Sequence, residues 1–241
     1  MKAMVLAAGL GTRLRPLTDT RPKALVEVGG RTLLEITLLR LRSFGIGEVI
    51  VNVHHFGEMI VDYLQANNGF GLHVEISRED ILLDTGGGLK KAGWFFADSP
   101  EPFVLHNVDV LTNIDLGRMI QRHVQTGALA TLAVMKRETS RYLMVDDEGS
   151  LCGRRHGDRT ELVRECSGVE QLAFCGVHVI SPKLLPMLTE NGPFSIVDAY
   201  LRLAATGETI QAFRSDDYYW RDLGRIESIQ RAEQDLHQNI F

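Results

Sequence analysis

The residues best suited to chemistry lie near the amino terminus, in Leu6-Ala7-Ala8-Gly9-Leu10-Gly11-Thr12-Arg13-Leu14-Arg15-Pro16 and, shortly after, Arg21-Pro22-Lys23. Gly9 and Gly11 carry no Cβ, so backbone amides there can come close to phosphate oxygens. Arg13 and Arg15 add planar cationic forks, and Lys23 adds a compact point charge. A tight turn would explain the glycines but not the three cations beside them. The stretch reads as a loop built for a polyphosphate. Its spacing excludes two other nucleotide motifs: the third glycine of G-x-G-x-x-G is Leu14 here, and G-x-x-x-x-G-K-[ST] occurs nowhere.

A second candidate is Asp109, in Asn107-Val108-Asp109 directly after the apolar run Phe103 to His106. A carboxylate at the end of a buried strand is costly unless it faces a ligand or a cation, or caps the next helix. Other combinations carry less. His54-His55, Cys152 with His156 and Cys175 with His178 lack C-x-x-C or H-E-x-x-H spacing and are read as surface or packed residues. No G-x-S-x-G elbow supports an acyl-transfer nucleophile.

These residues need a scaffold. Met4 to Ala7, Val49 to Val53 and Phe103 to His106 are short apolar runs of the kind buried on both faces of a parallel sheet. Helical patterns lie between them: Thr32 to Phe44, with Thr32 and Glu35 as a capping box, Gly57 to Ala66, a third helix opening after Gly88, and Ile114 to Gln125. Alternating strand and helix implies right-handed crossovers. In the second half, Ala128 to Met135 and Ala173 to Ile180 read as strands, Tyr142 to Cys152 as a hairpin around Asp147-Glu148-Gly149, and Ser195 to Ala205 and Ile226 to His237 as helices. The expected fold class is α/β: a Rossmann-like, open, mixed and mostly parallel sheet with helices on both faces. In such a sheet ligands sit beyond the carboxyl ends of the strands, where the Gly9 loop begins.

Bulk properties narrow the partners. With 241 residues, 44% of them hydrophobic, the chain suits one domain. Its 26 Lys and Arg against 31 Asp and Glu give a net charge of −5, with no basic stripe, so nucleic acid is not an expected partner. The apolar start from Ala3 to Ala8 is too short for a signal peptide, and no run approaches the roughly 18 apolar residues of a membrane span. Three cysteines suit a reducing compartment, so a soluble, cytoplasmic protein is expected. Oligomeric state is not legible.

Leu6 to Pro16 followed by Pro22-Lys23-Ala24-Leu25 resembles the signature of sugar 1-phosphate nucleotidyltransferases, L-A-A-G-x-G-T-R-L-x-P-L-T and then P-K. Asn107-Val108-Asp109 and Trp220-Arg221-Asp222-Leu223-Gly224 resemble that family's two metal-binding stretches. The resemblance spans essentially the whole chain. Leu82-Leu83-Asp84-Thr85-Gly86-Gly87-Gly88-Leu89 is most like the family's short members, the N-acetylmuramate 1-phosphate uridylyltransferases and mannose 1-phosphate guanylyltransferase-like proteins. It departs from the pattern at Asp84, where glycine commonly meets the base, at Val108, where glycine is usual and valine would crowd a metal, and at Arg225, where threonine is usual. The Glu-Lys-Pro sugar motif of thymidylyltransferases is absent.

The resemblance implies a single nucleotidyltransferase domain over 1–241, with a nucleotide-binding half over about 1–110 and a sugar-phosphate-binding half over about 111–241. It implies transfer of a nucleoside monophosphate from UTP or GTP to a sugar 1-phosphate, with pyrophosphate as the other product and Mg²⁺ held by Asp109 and Asp222. Leu6, Ala7, Ala8, Gly9, Gly11, Thr12, Arg13, Lys23, Gly86 and Gly87 are its nucleotide-binding residues, and Asn107 and Gly176 lie on the sugar-phosphate side. Lys23, Arg13, Asp109 and Asp222 carry catalysis. The second reading is a nucleotide-sugar-binding homologue that regulates a partner enzyme.

Overall fold

In the computed structural model, which describes residues 1–238, the first strand divides its side chains between two cores. Ala3 and Val5 join one buried cluster and Met4 the other, the alternation required of a strand covered on both faces. Residues 239–241, with which the expected sugar-phosphate half ends, lie outside the described residues.

The chain runs from β1 (Lys2–Leu6) through a small ribbon, β2 (Glu27–Val28) and β3 (Arg31–Thr32), into α1 (Leu33–Ser43), β4 (Glu48–Val53), α2 (Gly57–Ala66), β5 (His73–Arg78), α3 (Asp84–Ala92) and β6 (Phe103–Asn107). There follow β7 (Val110–Thr112), α4 (Leu116–Thr126), β8 (Ala130–Met135), β9 (Arg141–Val145), β10 (Leu151–His156), β11 (Arg159–Leu162), β12 (Glu170–Ile180), α5 (Ile196–Ala205), β13 (Ile210–Arg214), β14 (Trp220–Asp222) and α6 (Ile226–His237).

Ten strands form one mixed sheet in the order β11-β10-β9-β12-β6-β1-β4-β5, with β8 beside β12 and β13 beside β8. The β6-β1-β4-β5 part is parallel throughout, and β12 joins it antiparallel to β6. Leu34, Leu38 and Leu41 of α1, Ile60 of α2, Met119 of α4 and Ile229 of α6 bury one face, while Leu89 of α3 and Tyr200 of α5 bury the other. This is the α/β architecture expected from the alternation of apolar runs and amphipathic stretches.

The expected elements recur with small shifts at their ends. Thr32 caps α1 through the Glu35 amide at 3.0 Å, and Ser195 caps α5 through the Val197 amide at 3.3 Å. The β9–β10 hairpin turns at Asp146, whose Oδ1 accepts from the amides of Glu148 and Ser150. One expectation is corrected. The third helix begins at Asp84, not after Gly88, so all three glycines lie inside it and are buried. Glycine's poor helix propensity suggested a later start, but here packing outweighs it.

Candidate active site

β1 and β6 are parallel neighbours, so the loops that leave their carboxyl ends emerge at one edge of the sheet. The Val108 amide donates to the Leu6 carbonyl at 3.2 Å, tying the two loops together. The Val108 side chain is 4% exposed and packs within the core.

The second carboxylate arrives by a different route. β14 pairs antiparallel with β7, setting Asp222 opposite Val110, and the Leu223 amide donates to the Asp109 carbonyl at 2.8 Å. Asp109 and Asp222 therefore occupy adjoining register positions. Asp222 Oδ1 accepts the Gly224 amide at 2.8 Å, which holds the carboxylate against its own turn.

Lys23 completes this group from the other side. It sits in a 3₁₀ turn over Lys23–Leu25, with its side chain 11% exposed, and its Nζ forms an ion pair with Asp109 Oδ2. Arg13 lies close by: a Cβ placed on Gly224 would stand 2.6 Å from Arg13 Nη2 and 2.7 Å from Asp222 Oδ1. Lys23, Arg13, Asp109 and Asp222 thus gather in one place. Arg15 does not join them, because its guanidinium pairs with Asp19 on the exposed side of the loop at 3.4 Å.

The glycine loop is pinned at both ends and open between. Leu14 is fully buried, which anchors the loop with about 2 kcal/mol of apolar burial. Gly11 adopts φ 63°, and a Cβ there would meet Thr18 at 2.9 Å and Lys23 at 3.0 Å, so a side chain at this position would displace Lys23. Gly9 has open space around its Cβ position, and Gly9 and Thr12 are both exposed. Leu6 is half-buried. Ala7 and Ala8 are buried, and the Ala7 amide is already bonded to Asn52 Oδ1 at 2.7 Å.

Asn52 had no place in the reading of the sequence. Its Nδ2 donates to Glu79 Oε1 at 2.7 Å, and Glu79 Oε2 accepts the Leu83 amide at 2.9 Å. This brace joins the ends of β1, β4 and β5 to the start of α3. Asn52 and Glu79 are 2% and 5% exposed, and the sequence signals them only by a polar Asn52 inside the apolar run Val49 to Val53.

Gly86 and Gly87 stand further from open space than expected. Both amides donate to the Phe194 carbonyl, at 2.9 and 3.4 Å, and a Cβ on Gly86 would fall 2.2 Å from the Phe194 ring. The run of three glycines has a packing reason: α3 approaches the segment before α5, while Gly88 leaves room for Glu79 and Asn52. Asp84 precedes them, exposed, in the left-handed region at φ 59°, with Oδ1 bonded to the Thr85 amide.

On the sugar-phosphate side, β12 changes partners. It pairs with β9 over Glu170–Leu172 and with β6 over Val177–Ile180, with a bulge against β8 between Phe174 and His178. Gly176 sits in that bulge at φ 73°, and a Cβ there would meet Asn107 Nδ2 at 2.8 Å and Val110 at 2.9 Å. Asn107 and Gly176 are therefore in contact. Asn107 Oδ1 is buried and makes no hydrogen bond among the described residues.

The histidine and cysteine pairs do not converge. Cys152 lies in the buried first half of β10 and His156 at its exposed end. Cys175 neighbours Ser215, while His178 Nδ1 bonds the Tyr200 hydroxyl at 2.9 Å. Burial pushes His178 down to about 3, and burial with the nearby Arg40 charge pushes His106 down to about 4.

Among the described residues, no cluster of three or more His, Cys, Asp or Glu side chains could hold a metal ion. Mg²⁺ needs less than that from a protein: one or two carboxylates suffice when phosphate oxygens and waters complete its octahedron. Asp109 and Asp222 are hard oxygen donors in adjoining register and would supply two carboxylates of that kind.

Comparisons with known proteins identify the family. An N-acetylmuramate alpha-1-phosphate uridylyltransferase of Caulobacter vibrioides is 35% identical over 212 residues, covering 85% of each chain. A mannose-1-phosphate guanylyltransferase catalytic subunit beta of Danio rerio is 31% identical over 229 residues, covering 93% of this chain and 61% of that one. A solved structure of UDP-glucose pyrophosphorylase with UDP-glucose superposes with a TM-score of 0.80 at 18% identity, covering 99% of this chain and 98% of the other, which establishes a shared fold. Residues 2–239 match the family described as nucleotidyl transferase, and the chain belongs to that family.

Proposed function

We propose that this protein transfers a nucleoside monophosphate from a nucleoside triphosphate to a sugar 1-phosphate and releases pyrophosphate. The observation that carries the reading is the meeting of Lys23 and Arg13 with Asp109 and Asp222 at the carboxyl ends of β1, β6 and β14. Two cations and two carboxylates at the mouth of a glycine loop suit two phosphate-bearing substrates brought together.

A sugar 1-phosphate carries about −1.5 to −2 charges at neutral pH, so its oxygen attacks without a general base. The oxygen bonds to the α-phosphorus, the bond from that phosphorus to the oxygen bridging to the β-phosphate breaks, and pyrophosphate leaves with the electron pair. The barrier is largely repulsion between anions, so the protein's task is alignment and charge neutralisation. Lys23 holds the α-phosphate or the sugar phosphate, exchanging part of its pairing with Asp109 for the substrate. Arg13 and the amides around Gly9 hold the β- and γ-phosphates. Asp109 and Asp222 would hold Mg²⁺, which would supply charge neutralisation to the phosphates. Residues of about 1–110 serve the nucleotide and those of about 111–241 the sugar phosphate.

UTP is the preferred donor and GTP the alternative, as the two relatives' names differ in this respect. The cytoplasm is the proposed compartment. None of the described helices is long and apolar enough to cross a membrane. The test is a matrix of UTP, GTP, ATP and dTTP against N-acetylmuramate, mannose and glucose 1-phosphates with Mg²⁺, reading pyrophosphate release. Activity confined to ATP sinks both base assignments, and release from no pair favours a regulatory homologue.

A further inference from the structure

Arg137 follows β8 and belongs to none of the motifs considered above. Its guanidinium stacks over the Trp220 ring at 4.1 Å, and Nη2 donates to the Phe174 carbonyl at 3.0 Å. The indole is itself anchored, with Nε1 donating to the Cys175 carbonyl at 2.7 Å. Phe174 and Cys175 lead directly into the Gly176 bulge, and Trp220 and Asp222 are alternate residues of β14 that share a face. Arg137 is thus tied to both walls of the region where Asn107 meets Gly176.

Its electrostatics point the same way. Burial pulls the guanidinium below its ordinary value, offset in part by the negative charge of Asp222. Nε is buried and has no hydrogen-bond partner among the described residues. A guanidinium has five N–H donors in a planar fork that matches two oxygens of a phosphate. Stacking on Trp220 fixes the plane of that fork and leaves its edges to bond.

We propose that Arg137 is a binding residue for the phosphate of the incoming sugar 1-phosphate, holding it between the Gly176 bulge and Asp222. This rests on the nucleotidyl-transfer reading and assigns a cation to its acceptor side, where Lys23 is paired with Asp109. A dianionic acceptor approaching two carboxylates meets repulsion that Lys23, shared with Asp109, offsets only in part, and a second cation on the acceptor side lowers it further. The fixed plane makes the site selective for an anion with two oxygens in reach.

The test compares wild type with Arg137→Gln and Arg137→Lys, using the pair that wild type turns over best. Arg137→Gln raises KM for the sugar 1-phosphate about ten-fold or more, the loss of one charge-assisted bond, while KM for the triphosphate stays within about two-fold. Arg137→Lys recovers part of the loss. Inorganic phosphate, competing against the sugar 1-phosphate, weakens in Arg137→Gln by a similar factor, whereas the free sugar competes equally in both. A thermal midpoint that falls with both KM values rising together identifies a mere clamp on Trp220 and overturns the proposal. So does an unchanged KM for the sugar 1-phosphate. Calorimetric binding of the same sugar 1-phosphates separates this from failure of the reaction: if wild type releases no pyrophosphate, binding lost in Arg137→Gln still supports the site, and binding that is unaltered, or absent from wild type, overturns it.

Discussion

Lys23 and Asp109, 86 positions apart in the chain, form an ion pair across the carboxyl ends of β1 and β6. Each is mostly buried, so each depends on the other in the fold. A carboxylate that also holds a metal must share its charge between Lys23 and that ion.

Asp109→Asn and Asp222→Asn are expected to abolish most turnover, since each removes a charge but little volume. They should differ in stability. Asp109→Asn leaves the Lys23 ammonium with a neutral partner and costs about 1–3 kcal/mol, whereas Asp222→Asn costs well under that. Urea unfolding and pyrophosphate release measure the two effects. Wild-type kcat in either variant at saturating magnesium would remove that residue from the metal site.

Lys23→Ala should lower kcat/KM by at least about a hundred-fold, as expected for a charge acting on a reacting phosphate. Lys90→Ala serves as the control: Lys90 is exposed and its Nζ bonds Glu190 and Asn191. Comparable small losses in the two variants would displace Lys23 from the reaction. Arg13→Ala should chiefly raise KM for the triphosphate, and an unchanged value would end its assignment to the β- and γ-phosphates.

Two glycines should respond in opposite ways. Gly86→Ala places a Cβ 2.2 Å from the Phe194 ring and is expected to destabilise by about 1–3 kcal/mol. Gly9→Ala meets nothing within 4 Å, so the thermal midpoint should hold while KM for the triphosphate rises. A stable Gly86→Ala would show that α3 can shift away from Phe194.

Asn52→Ala strands two buried groups, the Ala7 amide and Glu79 Oε1, at a cost of about 1–3 kcal/mol each. Hydrogen exchange at Ala7 should speed up along with the global loss. Protection retained at wild-type level would show that the brace does not hold the loop.

Acid should destabilise the protein well before its carboxylates protonate. Burial lowers His106 and His123 from 6.5 to about 4 and His178 to about 3. Between those values and 6.5 the unfolded chain binds more protons than the folded one, so stability is complete above pH 6.5 and falls as pH drops. The slope approaches about 1.4 kcal/mol per pH unit for each histidine. Urea unfolding from pH 7 to 4.5 measures it, and His123→Gln, which can keep a bond to Thr131, should remove one histidine's share. A flat profile over that range would mean that these rings are hydrated.

The local code of this protein is legible because its chemistry is local. A glycine loop flanked by Arg13 and Lys23 follows an apolar strand, and the capping box of Thr32 and Glu35 marks the first helix that its crossovers need. The alternation of strand and helix was enough to indicate an α/β sheet and to put the loop at its carboxyl edge. What the tertiary structure decided is which distant residues share a space. Nothing in Trp220-Arg221-Asp222 says that it pairs with Val110–Thr112, so only the ribbon brings Asp222 beside Asp109. Gly86 and Gly87 looked like open backbone because a glycine run carries no record of what fills the space beside it; Phe194 does. Asn52, Glu79 and Arg137 have unremarkable neighbours in sequence and become visible only as buried polar atoms with particular partners. Periodicity and spacing encode elements and loops, but pairing between far-apart segments depends on packing that one-dimensional order does not express.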